Sequence, residues 1–579
     1  MKLSRVIIKN YRNIRDADAC LDGSTALIGE NNSGKSNFLR AITLPLYSEE
    51  NSVSKNLTWE DINATSKEIY YKFLQDNRKA IVNGEIGENA LWGSVPVVSV
   101  ELCIVPETVE LYYTKDIITG ISEEKFSYGL RYEFKVKKPA DLLTTVKSIL
   151  ADEEIEIENA RRSLLPIEFY SYSIIVPNKN SSVSYDTLRQ FRYVFLPAER
   201  DSFAAENHKI GSKSLVNLLE MKFSQADLLQ VEKEYEGFFN TLKHLGGMES
   251  VLNWQESSDI PNASDFVKNI SVMPNMPSIS SILNSVRLGF NGETLSLQGL
   301  GQRNIILLLV LLNSYRIPKE DIAINVVIVE EPEAHLCINN VRLMCSFIRA
   351  LTSDNKKVQM FYSTHSTEFI NKHDLKDVVV LDDGKAYSLG VELDEEARNY
   401  LAKNPNTHIF KLLFSHRCIL VEGISEELLI KGYIQSKAAM SDIDVLSFHK
   451  GYTTIMDIWL KLNSESKKKL GVVRDFDDQT GPKAIHEKYN QYDNICVKTT
   501  SEYTLEPEIV QTGNNYDLLK TKYGAAQGWS DLSAEALSDD WRKHKAGFMM
   551  QLSYDLANGE LDKFEMPLHI KSILDFMEN

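Results

Sequence analysis

Cysteine is scarce in this chain, and long apolar runs are missing. Six cysteines are spread over 579 residues without a C-x-x-C pair, which argues against a zinc ribbon and fits a reducing cytoplasm. The longest apolar run, 305–312, covers eight residues, far fewer than a membrane-spanning helix needs. The opening residues show no continuous apolar segment of a secretory signal. We therefore expect a cytoplasmic protein with no membrane partner.

Positive charge is also in short supply. The chain has 64 Lys and Arg against 81 Asp and Glu, a net charge of −17. A protein that bound DNA over its whole surface would be basic, so any contact with nucleic acid must be a local patch. The basic runs at 467–469 and 542–545 are candidates, and Lys135, Lys137 and Lys138 form a weaker one. Such runs are more often solvated faces.

A phosphate-binding loop is the clearest motif. Residues 29–36 read GENNSGKS and fit the pattern G-x-x-x-x-G-K-[ST], between a short apolar strand and a helix. Lys35 would reach the β- and γ-phosphates of ATP, and the Ser36 hydroxyl would ligate Mg²⁺. The alternative is a plain Gly/Asn-rich turn. We assign to the nucleotide site Gly29, Asn32, Gly34, Lys35, Ser36 and Asn37.

A second nucleotide motif follows a buried strand at 325–329, which runs into Glu330 and Glu331. We predict that Glu330 holds the Mg²⁺ and that Glu331 polarises the attacking water. The next strand, 357–362, ends before His365, which would sense the γ-phosphate. Most lone histidines are ordinary surface or core residues, but the order and the strand end favour a functional role here.

A helix entrance at 297–304 carries Gly299, Gly301 and Gln302. Glycines there would present backbone N–H groups to a phosphate. In this order, the segment resembles the signature motif of ABC-type ATPases of the RecF/SMC kind, as does the opening text at 7–14. That resemblance implies a composite site, in which the signature of one subunit closes over the nucleotide of another, and hence at least a homodimer.

Acidic residues cluster near the C-terminus. Glu422 follows a strand at 418–421, and Asp475 and Asp477 follow a strand at 471–474. Their oxygen ligands suit Mg²⁺ or Mn²⁺. Alone, each piece is more often a solvated turn; together they resemble the Toprim domain of topoisomerases, primases and certain nucleases.

Other charged residues would favour a nuclease. Glu426 lies one helical turn after Glu422, and Glu502 and Glu506 follow the last predicted strand, so these side chains are candidates for a second metal. Lys545 would then neutralise the scissile phosphate. Ordinary surface charge is the alternative for Glu502, Glu506 and Lys545.

The order of predicted elements is typical of an α/β protein of several domains. We predict an ABC-type (RecF/SMC-like) ATPase domain in two parts, 1–199 and 281–405, split by an inserted helical region, 200–280, that serves dimerisation. Its second part holds the signature, Walker B and switch histidine. A C-terminal Toprim α/β domain follows at 406–579.

This whole arrangement, including the text PAER at 197–200, resembles the OLD (overcoming lysogenization defect) family of nucleases. The resemblance implies a metal-dependent endonuclease or nickase that acts on double-stranded DNA, is governed by ATP and takes part in anti-phage defence. It also implies a homodimer or higher homo-oligomer, and a separately encoded superfamily 1 helicase as a candidate partner.

Two other functions stay open. One is a structural ATPase of DNA repair, of the RecF/SMC class, whose Toprim domain only binds; the chain lacks the long heptad arms of SMC proteins. The other is a topoisomerase or primase. A topoisomerase needs a tyrosine nucleophile, and the 25 tyrosines do not exclude one; a primase usually brings a zinc site, which the cysteine spacing does not offer.

Overall fold

The chain is mixed α/β, with its described core built on three β-sheets. The computed structural model describes residues 1–48, 54–86, 88–106, 111–122, 125–179, 181–198, 210–245, 273, 278–284, 286–316, 322–353, 358–404, 407–448, 451–464, 466–476 and 480–578.

The strands alternate with helices along most of the chain. In chain order they are β1 Lys2–Tyr11, β2 Ile14–Cys20, β3 Thr25–Ile28, β4 Val98–Val105, β5 Ile118–Ser122, β6 Lys125–Val136, β7 Tyr170–Ile175, β8 Phe191–Leu196, β9 Gly289–Phe290, β10 Glu293–Thr294, β11 Ile324–Glu330, β12 Val358–Ser363, β13 Val378–Asp382, β14 Lys385–Ser388, β15 Arg417–Val421, β16 Ile443–Ser447, β17 Lys469–Arg474 and β18 Ile495–Thr499.

The α-helices cover the sheets and the region between them. In chain order they are α1 Lys35–Thr43, α2 Ala64–Asp76, α3 Arg78–Val82, α4 Glu88–Ser94, α5 Leu111–Thr114, α6 Pro139–Leu150, α7 Arg161–Leu164, α8 Tyr185–Leu188, α9 Ile210–Glu220, α10 Gln225–Leu245, α11 Ile279–Leu283, α12 Leu300–Arg316, α13 Ile338–Ser353, α14 Thr367–Lys372, α15 Leu389–Glu392, α16 Glu395–Ala402, α17 Ile424–Gln435, α18 Tyr452–Asn463, α19 Thr480–Glu487, α20 Leu505–Gln511, α21 Asn515–Gln527, α22 Ala534–Lys543, α23 Lys545–Ala557 and α24 Leu568–Glu578.

The first sheet is antiparallel and covers one side of the nucleotide loop. Its order is β2-β1-β4-β6-β5, and β7 also pairs with β6. Buried and exposed residues alternate along β4, as expected for a sheet with one covered face. Apolar residues of β1, β4 and β6 share a core cluster with Phe38 and Leu39 of α1.

The second sheet carries the nucleotide motifs. Its order is β14-β13-β3-β12-β11-β8, parallel except for the edge strand β14. Every residue of β11 and of β12 is buried, as expected for strands covered on both faces. Because β3, β11 and β12 are parallel, their carboxyl ends meet at one edge, where all three nucleotide motifs begin.

One buried amide joins the first two sheets. The Gln359 side chain, on β12, accepts a hydrogen bond from Leu3 N at 2.7 Å and donates to Leu3 O at 3.0 Å and Gly23 O at 2.9 Å. It bonds the backbone of Leu3 beyond Arg5 and Cys20, the last residue pair of β1 with β2. A buried amide satisfied in this way fixes the register of the two sheets.

The third sheet is parallel, with the order β16-β15-β17-β18. The chain places β16 on one side of β15 and β17 on the other, so the order reverses between β15 and β17. In open parallel sheets, ligands bind outside the carboxyl ends of the strands at such a reversal. Glu422 follows β15 and Asp475 follows β17, on either side of that crevice.

The structure corrects several expected elements. The sequence over 140–162 predicts one helix, but α6 ends at Leu150, and turns at 151–160 precede the short α7. The sequence also predicts a strand over 286–290, where the structure has the two-residue β9, Gly289–Phe290. Within 200–257, α9 and α10 are helical as expected, while 199–209 and 246–272 lie outside the described residues. No described helix is long and apolar enough to cross a membrane.

Candidate functional site

The phosphate-binding loop has a backbone that only glycine permits at two points. Gly29 and Gly34 have φ values of 151° and 109°, in the region that L side chains rarely adopt. A Cβ on Gly29 would lie 2.3 Å from Leu381 O at the end of β13. Gly34 is the residue before α1, so the free N–H groups of that helix begin at the loop.

Lys35 lies folded into the loop. Its Nζ donates to Gly29 O at 2.9 Å and to Glu30 O at 2.6 Å, and the side chain is buried. Burial lowers the pKa of Lys35 to about 8, against the opposing effect of Glu331, Glu30 and Glu333. The ammonium is therefore held at the loop by two carbonyls. A nucleotide phosphate would be a stronger partner for it.

An asparagine of the opening text at 7–14, which was not assigned to the nucleotide site, braces the loop. Asn13, in the turn between β1 and β2, donates to Asn32 O at 3.0 Å and accepts from Asn37 Nδ2 at 2.8 Å. Arg12 donates to Asn37 Oδ1 at 3.0 Å and to Asp61 Oδ1 at 2.8 Å. The first hairpin thus contacts the backbone of Asn32 and the side chain of Asn37.

The two predicted glutamates follow β11 at the same edge. Glu330 is buried, with Oε2 accepting from Ala198 N at 3.4 Å. Glu331 has φ of 42°, a strained backbone for a residue other than glycine. His365 Nε2 lies 3.9 Å from Glu331 Oε1, and both burial and Lys35 lower the pKa of His365. Lys35, Glu331 and His365 therefore lie close enough to influence one another's charge.

Glu333 holds the histidine loop and was not predicted. Its Oε1 accepts from Thr364 Oγ1 at 2.6 Å and from His365 N at 2.9 Å. Burial raises the pKa of Glu333. The motif EEPE thus supplies a third carboxylate, which ties the ends of β11 and β12 together. Ser36, by contrast, is exposed at the start of α1, where a bound ion could reach it.

The signature residues contact the loop that follows Glu331. Gly299 directly precedes α12, and Gly301 and Gln302 lie in its first turn. A Cβ on Gly301 would lie 2.7 Å from His335 O, and Asn304 Nδ2 donates to Ala334 O at 3.1 Å. Close helix packing therefore explains the glycine at 301. The contacts of the described residues do not bring these three residues to Lys35 of the same chain.

Three glutamates meet at the carboxyl edge of the third sheet. Glu422 Oε2 accepts from Asp475 N at 3.1 Å, which ties the ends of β15 and β17 together. Glu426 Oε2 accepts from Gly423 N at 2.9 Å, in the first turn of α17. Burial, then Glu506, then Glu422 raise the pKa of Glu426. Negative charge is therefore concentrated at this edge of the sheet.

Glu506 belongs to this cluster, whereas Glu502 contributes through its backbone. The Glu506 side chain is 1% exposed and accepts from Thr504 Oγ1 at 2.9 Å. Glu502 N donates to Glu508 Oε2 at 2.9 Å, and Glu502 O accepts from Thr500 Oγ1 at 2.7 Å. The unpredicted Glu508 thus fixes this loop, beside the buried His569 at 3.7 Å.

Asp477 lies outside the described residues, and so does the side chain of Lys545, the first residue of α23. The segment leading to Asp477 is anchored: Phe476 N donates to Thr500 Oγ1 at 2.9 Å. Arg474, at the end of β17, is buried and bonds His486 Nδ1 at 2.6 Å. Asp475 and Phe476, which follow β17, therefore lie between Glu422 and the loop of Glu502.

Tyr452 is another residue of this region that the sequence did not single out. It starts α18 after Gly451, whose φ is 89°, and its ring packs on His486 with centroids 5.7 Å apart. The side chain is 5% exposed, and its hydroxyl is buried without a hydrogen-bonding partner among the described residues.

The donor set fits a hard divalent cation. Glu422, Glu426, Asp475 and Glu506 offer only oxygen ligands, which Mg²⁺ and Mn²⁺ prefer. Within the described part of the chain, no group of three or more such side chains already has metal-binding geometry. Glu422 and Glu426 each bond a backbone N–H instead, so side-chain adjustment or Asp477 would have to complete a centre.

The prediction of a basic patch at 467–469 is wrong for two of its residues. Lys468 is 2% exposed and paired with Asp382 Oδ1 at 3.2 Å. Lys469 Nζ donates to Phe576 O at 2.8 Å. The second run is more accessible: Lys543 is 69% exposed at the end of α22, and the Arg542 guanidinium lies 5.4 Å from the Tyr503 ring centroid, next to Glu502.

Comparison with known families identifies the type of domain that contains the phosphate-binding loop. The family model described as an AAA ATPase domain (AAA_15) matches residues 1–370. The chain belongs to this ATPase family. Membership implies nucleotide binding, and the matched region includes the loop at 29–36, Glu330, Glu331 and His365.

Curated relatives extend the likeness over most of the chain. Endonuclease GajA of Bacillus cereus strain VD045 is 22% identical over 451 residues, which cover 74% of this chain and 67% of the relative. Endonuclease GajA of strain HuB5-5 is 20% identical over an alignment of 586, covering 87% and 79%. With the ATPase domain, these relatives confirm the predicted resemblance to OLD-like, Gabija-type ATPase–nucleases.

Solved structures overlap less well. The SmcHead bound to the C-winged helix domain of ScpA is 10% identical, with a TM-score of 0.30 over 67% of this chain and 99% of that chain. The SMC head domain from Thermotoga maritima is 13% identical, with a TM-score of 0.27 over 67% and 97%. Scores this low do not assign a fold.

Proposed function

We propose that the chain is a nucleotide-regulated, metal-dependent DNA endonuclease or nickase of anti-phage defence. The proposal rests on the carboxylates at the reversal of the third sheet: burial, then Glu506 and Glu422, raise the pKa of Glu426 at the place where a parallel sheet binds ligands. The naming of both curated relatives as endonucleases supports it. In this reading, residues 406–579 form a Toprim-type nuclease domain.

Two metal ions would share the chemistry of cleavage. Glu422, Asp475 and Asp477 would hold one ion, and Glu426, Glu502 and Glu506 would help to hold the second; a pair of such ions supplies an activated water and stabilises the leaving oxygen. Lys545 neutralises the phosphate from the start of α23. Because the carboxylates crowd one another when empty, the ions also remove their mutual repulsion.

The ATPase part controls the cut. ATP binds at Lys35 with Mg²⁺ on Ser36 and Glu330, and Glu331 and His365 face its γ-phosphate. An ABC-type arrangement, with residues 200–280 as the dimerisation region, supplies Gly299, Gly301 and Gln302 from a second copy. Of these three residues, Gly301 packs beside His335 O within its own chain. A separately encoded superfamily 1 helicase is the proposed partner.

The decisive experiment is cleavage of supercoiled plasmid DNA. Purified protein is incubated with Mg²⁺ or Mn²⁺, with and without ATP, beside Glu422→Gln and Glu506→Gln. Glu535→Gln is the matched control, since Glu535 is an exposed carboxylate of the same region. Nicked or linear DNA that disappears in the first two variants and persists in the control is the expected result.

Intact plasmid in every lane, for protein that still binds ATP and melts cooperatively, would contradict the nuclease and favour a structural ATPase. Tyrosine-linked DNA would favour a topoisomerase. Metal binding has a separate readout: Mn²⁺ should raise the melting temperature of the unmodified protein more than that of Glu506→Gln.

A further inference from the structure

Two cations lie over aromatic rings at the carboxyl edge of the third sheet. Lys483 Nζ is 5.4 Å from the centre of the Phe476 ring, and the Arg542 guanidinium is 5.4 Å from the centre of the Tyr503 ring. Each of these aromatic residues directly follows a carboxylate of the proposed metal site in the sequence. Each of the two loops therefore carries a carboxylate and an aromatic ring with a cation over its face.

One buried hydroxyl joins the two loops. Thr500 Oγ1 accepts from Phe476 N at 2.9 Å and donates to Glu502 O at 2.7 Å, and Thr500 is 1% exposed. Because Tyr503 follows Glu502, the backbones that carry both rings are anchored to the same threonine. The two rings are therefore held near each other, at the ends of β17 and β18.

The two cations reach this edge from opposite faces of the sheet. The helix that carries Lys483, α19, packs through His486 on the ring of Tyr452 in α18. The helix that carries Arg542, α22, shares an apolar cluster with α17, α20 and α23. Apolar residues of α18 belong to the other cluster, and adjacent residues of β17 are divided between the two. A polyanion that contacted both cations would therefore pass over the strand ends, where the carboxylates lie.

Both cations are accessible, and each has a weak ion pair within its own helix. The Lys483 side chain is 35% exposed, and its Nζ lies 4.0 Å from Glu487 Oε1. The Arg542 side chain is 38% exposed, and its nearest guanidinium nitrogen lies 3.5 Å from Asp539 Oδ1. Exposed ion pairs are weak, and an aromatic face attracts a cation without neutralising it. A phosphate group would be a stronger partner for either cation.

We propose that Lys483 and Arg542 bind two different phosphates of a DNA strand, one on each side of the carboxylate site. The inference rests on the proposed nuclease function and deepens it by assigning the contacts that hold the substrate. Carboxylates repel a polyanion, so cations beside them are needed to bring the strand close. A strand held on both sides presents an internal phosphodiester to the carboxylates, which suits an endonuclease rather than an enzyme that removes terminal nucleotides.

The test compares three variants that each lose one positive charge. Lys483→Gln and Arg542→Gln remove the proposed phosphate contacts. Lys437→Gln is the matched control, because Lys437 Nζ lies 4.4 Å from the centre of the Tyr433 ring and so forms the same kind of pair. Lys437 follows the C-terminal end of α17, whereas the carboxylate site lies at the N-terminal end of that helix.

The measured quantity is the salt dependence of DNA binding. A labelled linear duplex is bound with Ca²⁺ in place of Mg²⁺, so that the assay does not depend on cleavage. The slope of log K against log salt concentration should become less steep by about 0.9 in Lys483→Gln and in Arg542→Gln, because each loses one phosphate contact. The double variant should lose the sum of the two changes. Lys437→Gln should keep the slope of the unmodified protein, and thermal melts verify that every variant is folded.

Several results would overturn the inference. Unchanged slopes in Lys483→Gln and Arg542→Gln would do so and would leave the nuclease standing if the unmodified protein cuts plasmid. A change in only one of them would remove one of the two contacts. A double variant with the slope of a single variant would mean that both cations share one phosphate. An equal change in Lys437→Gln would assign the effect to net charge rather than to this edge.

The same assay separates this inference from the proposed function. The expected slopes, together with no cleavage by the unmodified protein, would support the two phosphate contacts and contradict the nuclease. The expected slopes together with plasmid cleavage would support both. An unmodified protein that neither binds nor cuts DNA would overturn both.

Discussion

Lys468 and Asp382 form an ion pair between the two parallel sheets, with Nζ 3.2 Å from Oδ1. Asp382 ends β13, and the turn after it touches the phosphate-binding loop, since Gly384 N donates to Ser33 O at 3.2 Å. Lys468 immediately precedes β17, whose other end reaches Asp475. The Lys468–Asp382 ion pair thus connects the nucleotide loop to a strand of the carboxylate site.

Removing one charge of this ion pair should destabilise the protein more than removing both charges. Lys468→Met and Asp382→Asn should each lower the free energy of unfolding by about 2–3 kcal/mol, because the partner charge stays in a largely buried place. The double variant should lose less than the sum. Urea unfolding of all four proteins gives the coupling energy. Strict additivity would mean that the pair contributes nothing.

The same variants should weaken communication between the two sites. We expect the ratio of plasmid cleavage with and without ATP to move toward one in Lys468→Met, while ATP affinity stays near that of the unmodified protein. Exposed Lys72→Met is the control for loss of a lysine. An unchanged ratio in Lys468→Met would place the communication elsewhere.

Lys35→Met should separate nucleotide binding from folding. The Lys35 ammonium is costly to bury, as the lowering of its pKa to about 8 shows, so the variant should lose little stability when empty. It should lose the rise in melting temperature that ATP and Mg²⁺ give to the unmodified protein. Thermal melts with and without ATP test both points. A full ATP-dependent rise in Lys35→Met would contradict the assignment of the loop.

Asp377 should make stability depend on pH. Burial raises the pKa of Asp377 to about 6, and its Oδ1 has no hydrogen-bonding partner in the described structure. The folded state therefore holds a proton that the unfolded state releases near pH 4, so the contribution of Asp377 is lost as pH rises from about 4 to 6. Above pH 6, Asp377→Asn should be more stable by about 1–2 kcal/mol, after allowance for partial solvent access.

Below pH 4 the two proteins should unfold alike, because the Asp377 carboxyl is then protonated in both states. Urea unfolding between pH 4 and 8 measures the difference, with exposed Asp493→Asn as the control for the substitution. A constant difference between Asp377→Asn and the unmodified protein over that range would contradict the burial of this charge.

Gly432 should tolerate no side chain. A Cβ there would lie 2.5 Å from Ser553 O, where α17 crosses α23. Gly432→Ala should lower the free energy of unfolding by about 1–3 kcal/mol through overpacking. Gly237→Ala is the opposite case, since a Cβ there meets nothing within 4 Å on α10, and it should gain about 0.5–1 kcal/mol. Equal effects would contradict the close crossing of the helices.

Local motifs could be predicted because the residues that define each of them are adjacent in the sequence. The loop at 29–36 and the pair Glu330–Glu331 each combine a strand, a turn and a polar group within a few positions. Asn13 and Tyr452 were missed because each is one residue with no local pattern, positioned by partners in other strands. The basic run containing Lys468 was misinterpreted since its partner, Asp382, lies 86 positions away, and a charge run does not reveal a distant counter-ion.

Gln359 sets an order of events during synthesis. Its side chain satisfies the backbone of Leu3, 356 positions earlier, and its strand, β12, is a neighbour of β3. At about 5–20 residues per second, the ribosome takes roughly 20–70 s to make the segment between them. Throughout that interval the apolar strand that enters the nucleotide loop has neither of its parallel neighbours, β12 and β13. The central strand of the N-terminal part of the nascent chain therefore stays incomplete until β12 and β13 have been made.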